Sequence, residues 1–295
     1  MRTFTCKYFL SKVAASTAML IGLLTGAYQP AHAQSCTYWV APAPTGSDTN
    51  PGTSAAPWQT VQKAFNTASA GQTVCFYGGT YPQNPTLQCT TDANGTHCYS
   101  QIENNSGSAS SPITFTNVSG QVALIQGSTE IHGSYITFQG TPNTTRNCSH
   151  ADTCGLIFEG SQDTTKPTVN VGICCAGATN PQFVTFDHVE IRNGVYHAGL
   201  YEEGCNNAFT GSYVHDNGVS VTDSNHTVDN GIYWSSLSPG CTNGGLIANN
   251  IVEHNWSKGI QLYCGDTCTN VQHVTVEENT VVNNDAQGIV VLGIK

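Results

Sequence analysis

Gly199-Leu200-Tyr201-Glu202-Glu203, Gly231-Ile232-Tyr233-Trp234-Ser235, Gly259-Ile260-Gln261-Leu262-Tyr263 and Gly288-Ile289-Val290-Val291-Leu292 are four versions of one short strand. Each follows a segment that ends in asparagine: VEIRN at Asn193, YVHDN at Asn217, IVEHN at Asn255 and TVVNN at Asn284. The asparagines recur at intervals of 24 to 38 residues. A unit of that size cannot bury its own apolar face, whereas a stack of such units can, which is the logic of a solenoid. Strands and turns fill each unit and no helical stretch separates them. The expected fold is therefore all-β, a parallel β-helix of about eight coils. At ~4.8 Å between paired strands the rod would be on the order of 40 Å long.

Alternation along each strand sets what faces out. With Leu200, Ile232, Ile260 and Ile289 inside, Tyr201, Tyr233, Gln261 and Val290 face out, followed by Glu203, Ser235, Tyr263 and Leu292. Glu202 then falls inside with Trp234, unless a bulge carries it out to join Glu203. The four asparagines are expected to stack at coil corners, bonding one another and accepting unusual backbone angles.

Residues 1–33 are expected to be a signal peptide. Arg2, Lys7 and Lys12 give a basic start, Val13 to Ala27 is apolar or small, and Ala31-His32-Ala33 is a small-x-small cleavage pattern. No apolar run reaches the ~20 residues of a membrane span. The mature chain, 34–295, carries six basic and nineteen acidic residues, a net charge of −13, which argues against nucleic acid as a partner. Twelve of the thirteen cysteines lie beyond residue 33, an even number that fits disulfides in a secreted or periplasmic protein. Cys89/Cys98, Cys148/Cys154 and Cys264/Cys268 are spaced as loop staples. Cys174 and Cys175, being adjacent, are expected to reach different neighbours.

The chain after residue 33 opens with a strand, then Gly46-Ser47-Asp48-Thr49-Asn50-Pro51-Gly52-Thr53, then Pro57-Trp58-Gln59-Thr60-Val61-Gln62-Lys63-Ala64. Trp58, Val61, Ala64, Phe65 and Ala68 share one helical face, and Thr73–Tyr77 follows as a strand. This order resembles the N-terminal cap of secreted right-handed parallel β-helix proteins of the pectate lyase-like superfamily, especially polysaccharide lyase family nine and its relatives. The resemblance implies a right-handed β-helix with an amphipathic cap helix, residues 34–79 forming the cap and first coil. Residues 80–112 are expected to leave the solenoid as an excursion. Further strands are expected at Ile113–Thr116, Ala123–Ile125, Tyr135–Phe138, Gly155–Phe158 and Phe183–Phe186. The sequence stops at Lys295, directly after a strand, and the expectation is that further coils are missing and that the full-length chain is a monomer.

The spacing from asparagine to glycine is six, fourteen, four and four residues in the four clear coils. The long one carries Asp223, His226 and Asp229, with His197, Glu202 and Glu203 one coil earlier and Lys258 one coil later. Loops on a rigid scaffold beside outward aromatics are where a sugar site is expected. The resemblance implies a polysaccharide partner and calcium-assisted β-elimination, with acidic residues holding the cation and a basic residue taking the proton. On this sequence the metal candidates are Glu202, Glu203, Asp223 and Asp229, the catalytic candidates Lys258, His226 and His197, and the substrate platform Tyr201, Tyr233 and Tyr263. The D-D-G-x-D run of the family's calcium site is absent. A non-catalytic glycan binder and a glycoside hydrolase on the same scaffold are the alternatives.

Overall fold

The computed structural model describes residues 35–92, 95–141, 148–160, 165–172, 180–218, 229–235, 244–263 and 273–292. Residues 34–295 form one compact unit. Its strands run parallel in three sheets, apart from one antiparallel hairpin. The first sheet has eight strands, beginning with Tyr38–Val40 and Thr73–Phe76 and ending with Val274–Glu277. The second has seven, from Gly79–Tyr81 to Thr280–Val282. The third also has seven: Gln101–Glu103, Thr129–Ile131, Val169–Val171, Ala198–Glu202, Asn230–Trp234, Ile260–Tyr263 and Ile289–Leu292. The chain visits the sheets in turn, so each coil is one strand of each. No helix among the described residues is long and apolar enough to cross a membrane.

Like residues stack in register along the rod. Phe115, Phe138, Phe186 and Phe209 are aligned through successive strands of the first sheet, with rings 4.9 to 6.0 Å apart. Leu200, Ile232 and Ile260 do the same in the third sheet, and all seven belong to one continuous core. Each fully buried aliphatic or aromatic side chain contributes ~1.5–3 kcal/mol, and the alternation that places them is the one legible in the sequence.

Corners are turned by single residues at positive φ. Asn193, Asp216, His254 and Asn283 occupy one corner, with φ of 52 to 54°. His188, Gly211, Asn249 and Glu278 occupy another, with φ of 53 to 58°. Asparagine side chains bond the backbone freed by these corners. Asn217 Nδ2 donates to Asn255 Oδ1 at 3.0 Å, and Asn255 Nδ2 donates to Asn284 Oδ1 at 2.9 Å. Asn193 is not a rung of this ladder. Glu190 pairs with Tyr213, so the rung position above Asn217 is Gly194, whose N–H donates to Asn217 Oδ1. Repeat alignment by the terminal asparagine slips here by one residue. A second ladder, from Ser212 through Asn250 to Asn279, runs at the other corner; its sequence sign is the polar residue ahead of each second-sheet strand.

The cap helix is shorter than its apolar face suggests. It spans Val61–Thr67, with Thr60 as N-cap accepting from the Lys63 N–H. Asp48 of the Gly46–Thr53 motif accepts from the N–H groups of Gln59 and Thr60 and from the Thr60 hydroxyl. These bonds hold Gln59 and Thr60 outside the helix, and Trp58 lies in an extended bridge to Val40. Gln62 then seals the top of the third sheet: its amide oxygen accepts from Ile102 N and its Nε2 donates to Ile102 O, at 2.8 and 2.9 Å. This covers an edge that would otherwise present unpaired backbone. The 80–112 excursion holds the antiparallel hairpin Gln88–Asp92/Gly95–Tyr99. It also supplies the first strand of the third sheet, which the sequence reading missed.

Disulfides join Cys89 to Cys98 and Cys148 to Cys154, as the spacing suggested, and Cys36 to Cys75 across the first two coils. Cys205 is also disulfide-bonded. Cys174, Cys175, Cys264 and Cys268 lie outside the described residues.

Asn255→Ala leaves buried partners stranded on three coils, and is expected to cost ~2–4 kcal/mol. Asn193→Gly removes no rung and relieves a positive φ, so it is expected to stay within ~0.5 kcal/mol of the parent. Paired urea denaturation curves check both; equal losses would contradict the ladder register.

Candidate active site on the third sheet

The outward column of the third sheet runs Glu130, Asn170, Tyr201, Tyr233, Gln261. The rings of Tyr201 and Tyr233 stack at 4.9 Å, and Tyr263 lies 6.1 Å from Tyr233. The expected tyrosine strip is therefore present, held on consecutive coils by strand pairing. His197, at positive φ in the corner before the strand, sets its ring edge-on to Tyr201 and Tyr233, at 4.9 and 5.6 Å. Its Nδ1 is buried without a hydrogen-bond partner. Burial pushes this imidazole below its usual pKa, so it is neutral at pH 7.

At the Tyr201 end of the strip is a cavity of about 180 Å³ lined in part by Glu130, Lys166, His197, Tyr201 and Glu203. Glu203 follows the Tyr201 strand, and its N–H donates to Val171 O at 2.9 Å. Burial pushes its carboxyl up to about 7. The Glu130 charge adds to the rise. The Tyr201 hydroxyl faces the carboxyl and partly offsets it, yet neither Glu203 oxygen has a hydrogen bond of ordinary geometry. Glu130 accepts from Asn170 Nδ2 at 3.2 Å and lies 3.0 Å from His132 Nε2. Lys166 Nζ stands 4.9 Å over the Tyr99 ring. Burial keeps the Tyr201 and Tyr233 phenols protonated, pushing Tyr233 up to about 12.

The other candidates are placed differently. Glu202 points inward, opposite Trp234 in the register, and no bulge returns it to the groove. Its carboxylate accepts from the Gly204 N–H and from Asn207 Nδ2, burial raising its pKa to about 8. Its work is to hold the turn after the strand. Asp229 is buried at the coil corner, where Oδ1 accepts from the His197 N–H at 3.2 Å. Lys258 lies two residues before the strand two coils along, its N–H directed at Asn230 Oδ1 at 3.4 Å. Burial lowers the pKa of its ammonium, and it does not line the cavity. Asp223 and His226 lie outside the described residues. No three His, Cys, Asp or Glu side chains among the described residues are grouped to share a metal. Calcium takes six to eight oxygens, and Glu203 is the one candidate ligand that the described residues set at the cavity.

Sequence reasoning missed Glu130, Asn170, Tyr99 and Lys166. Glu130 and Asn170 occupy the Tyr201 position in earlier coils, and aligning Thr129-Glu130-Ile131 with Leu200-Tyr201-Glu202 would have found the first. Tyr99 and Lys166 reach the site from outside the repeat.

The family described as "Right handed beta helix region" matches residues 168–293. The fold is a right-handed parallel β-helix. Among solved structures, a rhamnogalacturonan lyase is similar at 18% identity, over 87% of this chain and 63% of that one, with a TM-score of 0.56. The PL6 family alginate lyase AlyGC is similar at 12% identity, over 68% of this chain and 24% of that one, with a TM-score of 0.46. Pectate lyase Pel9A is similar at 17%, over 85% and 78%, with a TM-score of 0.41. The β-helix chain thus spans about 63% of the rhamnogalacturonan lyase chain, and at these identities the likeness is one of fold. No curated protein matches the sequence significantly.

The raised carboxyls set a pH dependence of stability. Glu103 and Glu202 at about 8 and Glu203 at about 7 bind protons more tightly folded than unfolded, where a glutamate titrates near ~4.3. Their stabilisation is complete below that value and lost as pH rises through 7 and 8. Thermal melts are expected to show Tm falling from pH 5 to pH 8. Glu203→Gln is expected to flatten the fall and to raise Tm at pH 8 above that of the parent.

Proposed function

We propose that the protein is an exported, carbohydrate-active β-helix that cleaves an acidic polysaccharide by β-elimination in the tyrosine-lined groove of the third sheet. The observation that carries this reading is the neutral, half-buried His197, held edge-on to Tyr201 and Tyr233 at the mouth of a cavity that contains Lys166. Aromatic faces on successive coils offer a sugar chain a rigid platform. Lys166, in the loop entering the third sheet, would pair with the uronate carboxylate. His197 would take the proton alpha to that carboxylate. The electron pair left behind forms the carbon–carbon double bond as the glycosidic C–O bond breaks, and the protonated Tyr201 hydroxyl supplies the proton for the leaving oxygen. Glu203, behind that hydroxyl and titrating near neutrality, is placed to replace it.

Hydrolysis asks for two carboxyls flanking the scissile bond. Both oxygens of Glu203 and one of Glu130 are buried, whereas His197 and Tyr201 reach the groove surface, which favours elimination. The described residues do not assemble a calcium site, so no step is assigned to the ion. Lys258 enters the same sheet further along the groove and serves there as a second cation for a bound chain. Export, with processing after Ala33, is supported by the basic and apolar start and by the disulfides.

The test is the ultraviolet absorbance of unsaturated uronate ends on pectate, alginate and chondroitin sulfate. A rise is expected with calcium present, and its loss in chelator would add the ion to the mechanism. His197→Gln is expected to lower kcat by ~10²–10⁴-fold, and Tyr233→Ala to raise KM with less effect on kcat. New reducing ends without absorbance would replace elimination by hydrolysis, and retention of intact polymer would leave a binding protein.

A further inference from the structure

The groove is walled at one end. From Tyr201 the outward column runs through Tyr233 and Gln261 to Val290 in one direction. In the other direction it passes Asn170 and Glu130 and meets Ile102, which is 2% exposed and whose backbone pairs with Gln62 of the cap. The antiparallel hairpin stands on that side. Its last residue, Tyr99, is buried, and its hydroxyl accepts from Asn170 Nδ2 at 3.0 Å. Asn170 Nδ2 also reaches Glu130 and the Gly172 carbonyl, so the wall is bonded to the floor. Lys166 lies across the Tyr99 ring, and His97 adds a second hairpin side chain to the cavity lining. The Cys89–Cys98 disulfide staples the two hairpin strands.

The cavity, about 180 Å³, is partly open and has Tyr99, Lys166 and Asn170 among its lining residues. On the cap side buried Tyr99, bonded to Asn170, and buried Ile102 close the column to a chain passing through. We propose that the Tyr99–Lys166 cavity is a dead-ended subsite for the terminal residue of the glycan, so that cleavage proceeds from a chain end rather than at random within the polymer. The inference rests on the reading of cleavage in this groove, and adds to it the direction in which the substrate is blocked and the element that blocks it.

The experiment follows viscosity and the size of released products against unsaturated-end absorbance, with the full chain on pectate, alginate and chondroitin sulfate. The expected result is short products from the first turnovers while viscosity holds. Two variants open the wall: Tyr99→Ala, and replacement of residues 90–97 by Gly-Gly with the Cys89–Cys98 bond kept. Both are expected to cut internally, so that viscosity drops several-fold more per bond broken. If circular dichroism shows that either variant has lost its fold, the parent's product pattern decides alone. Early collapse of viscosity with the parent protein would overturn the dead-ended subsite and leave the proposed activity standing. No cleavage of any of the three polymers would remove both.

Discussion

Every coil of this chain must turn corners without leaving backbone groups unpaired inside a stack that excludes water. In the later coils that constraint is met by one residue at positive φ followed by an asparagine whose side chain bonds the neighbouring coil. Asn255 shows the economy of the arrangement: its Nδ2 donates to Val214 O, Glu253 O and Asn284 Oδ1, while its Oδ1 accepts from Asn217. An orphaned buried peptide group costs ~1–3 kcal/mol, so each rung protects several coils at once. The in-register core and the straight outward columns both follow from corners that repeat.

Straight columns make the site. A tyrosine on one coil is placed 4.9 Å from a tyrosine on the next because the strand spacing requires it, not because the two rings attract. The same pairing carries Glu203 beside Tyr201 and Glu130 two coils away. Burial then does the chemistry of tuning: it raises Glu203, lowers His197 and keeps the phenols protonated, leaving an acid and a base with neutral forms available near pH 7. Glu202, one residue from Glu203, has a structural role because a strand turns alternate side chains to opposite faces.

The outer face of the second sheet provides a comparison. There Arg192 pairs with Asp152, Glu159 and Glu190, and His215 with Glu190 and Asp216. This network is as rich in charge as the third-sheet cavity, but its acids and bases are matched to one another. It ties the Cys148–Cys154 loop to the rod, since the Asp152 N–H also donates to Glu190. Unpartnered groups around open space distinguish the candidate site from a satisfied ion network.

The four glycine-led strands and their alternation determined by themselves the β-helix, the inward and outward faces, and the row of Tyr201, Tyr233 and Tyr263. The Gly46–Thr53 and Pro57–Ala64 motifs likewise determined the cap. These are legible because burial on one face of a strand imposes a period of two, and stacking imposes a period of one coil. Only the tertiary structure decided that Asn193 is no rung, because asparagine, aspartate and histidine all tolerate the corner and the motif can slide by one. It alone decided that Glu202 faces inward without a bulge, and that Tyr99, Lys166 and Glu130 meet His197 and Glu203. Those residues are up to 104 positions apart, and three-dimensional stacking, not local pattern, brings them to one cavity.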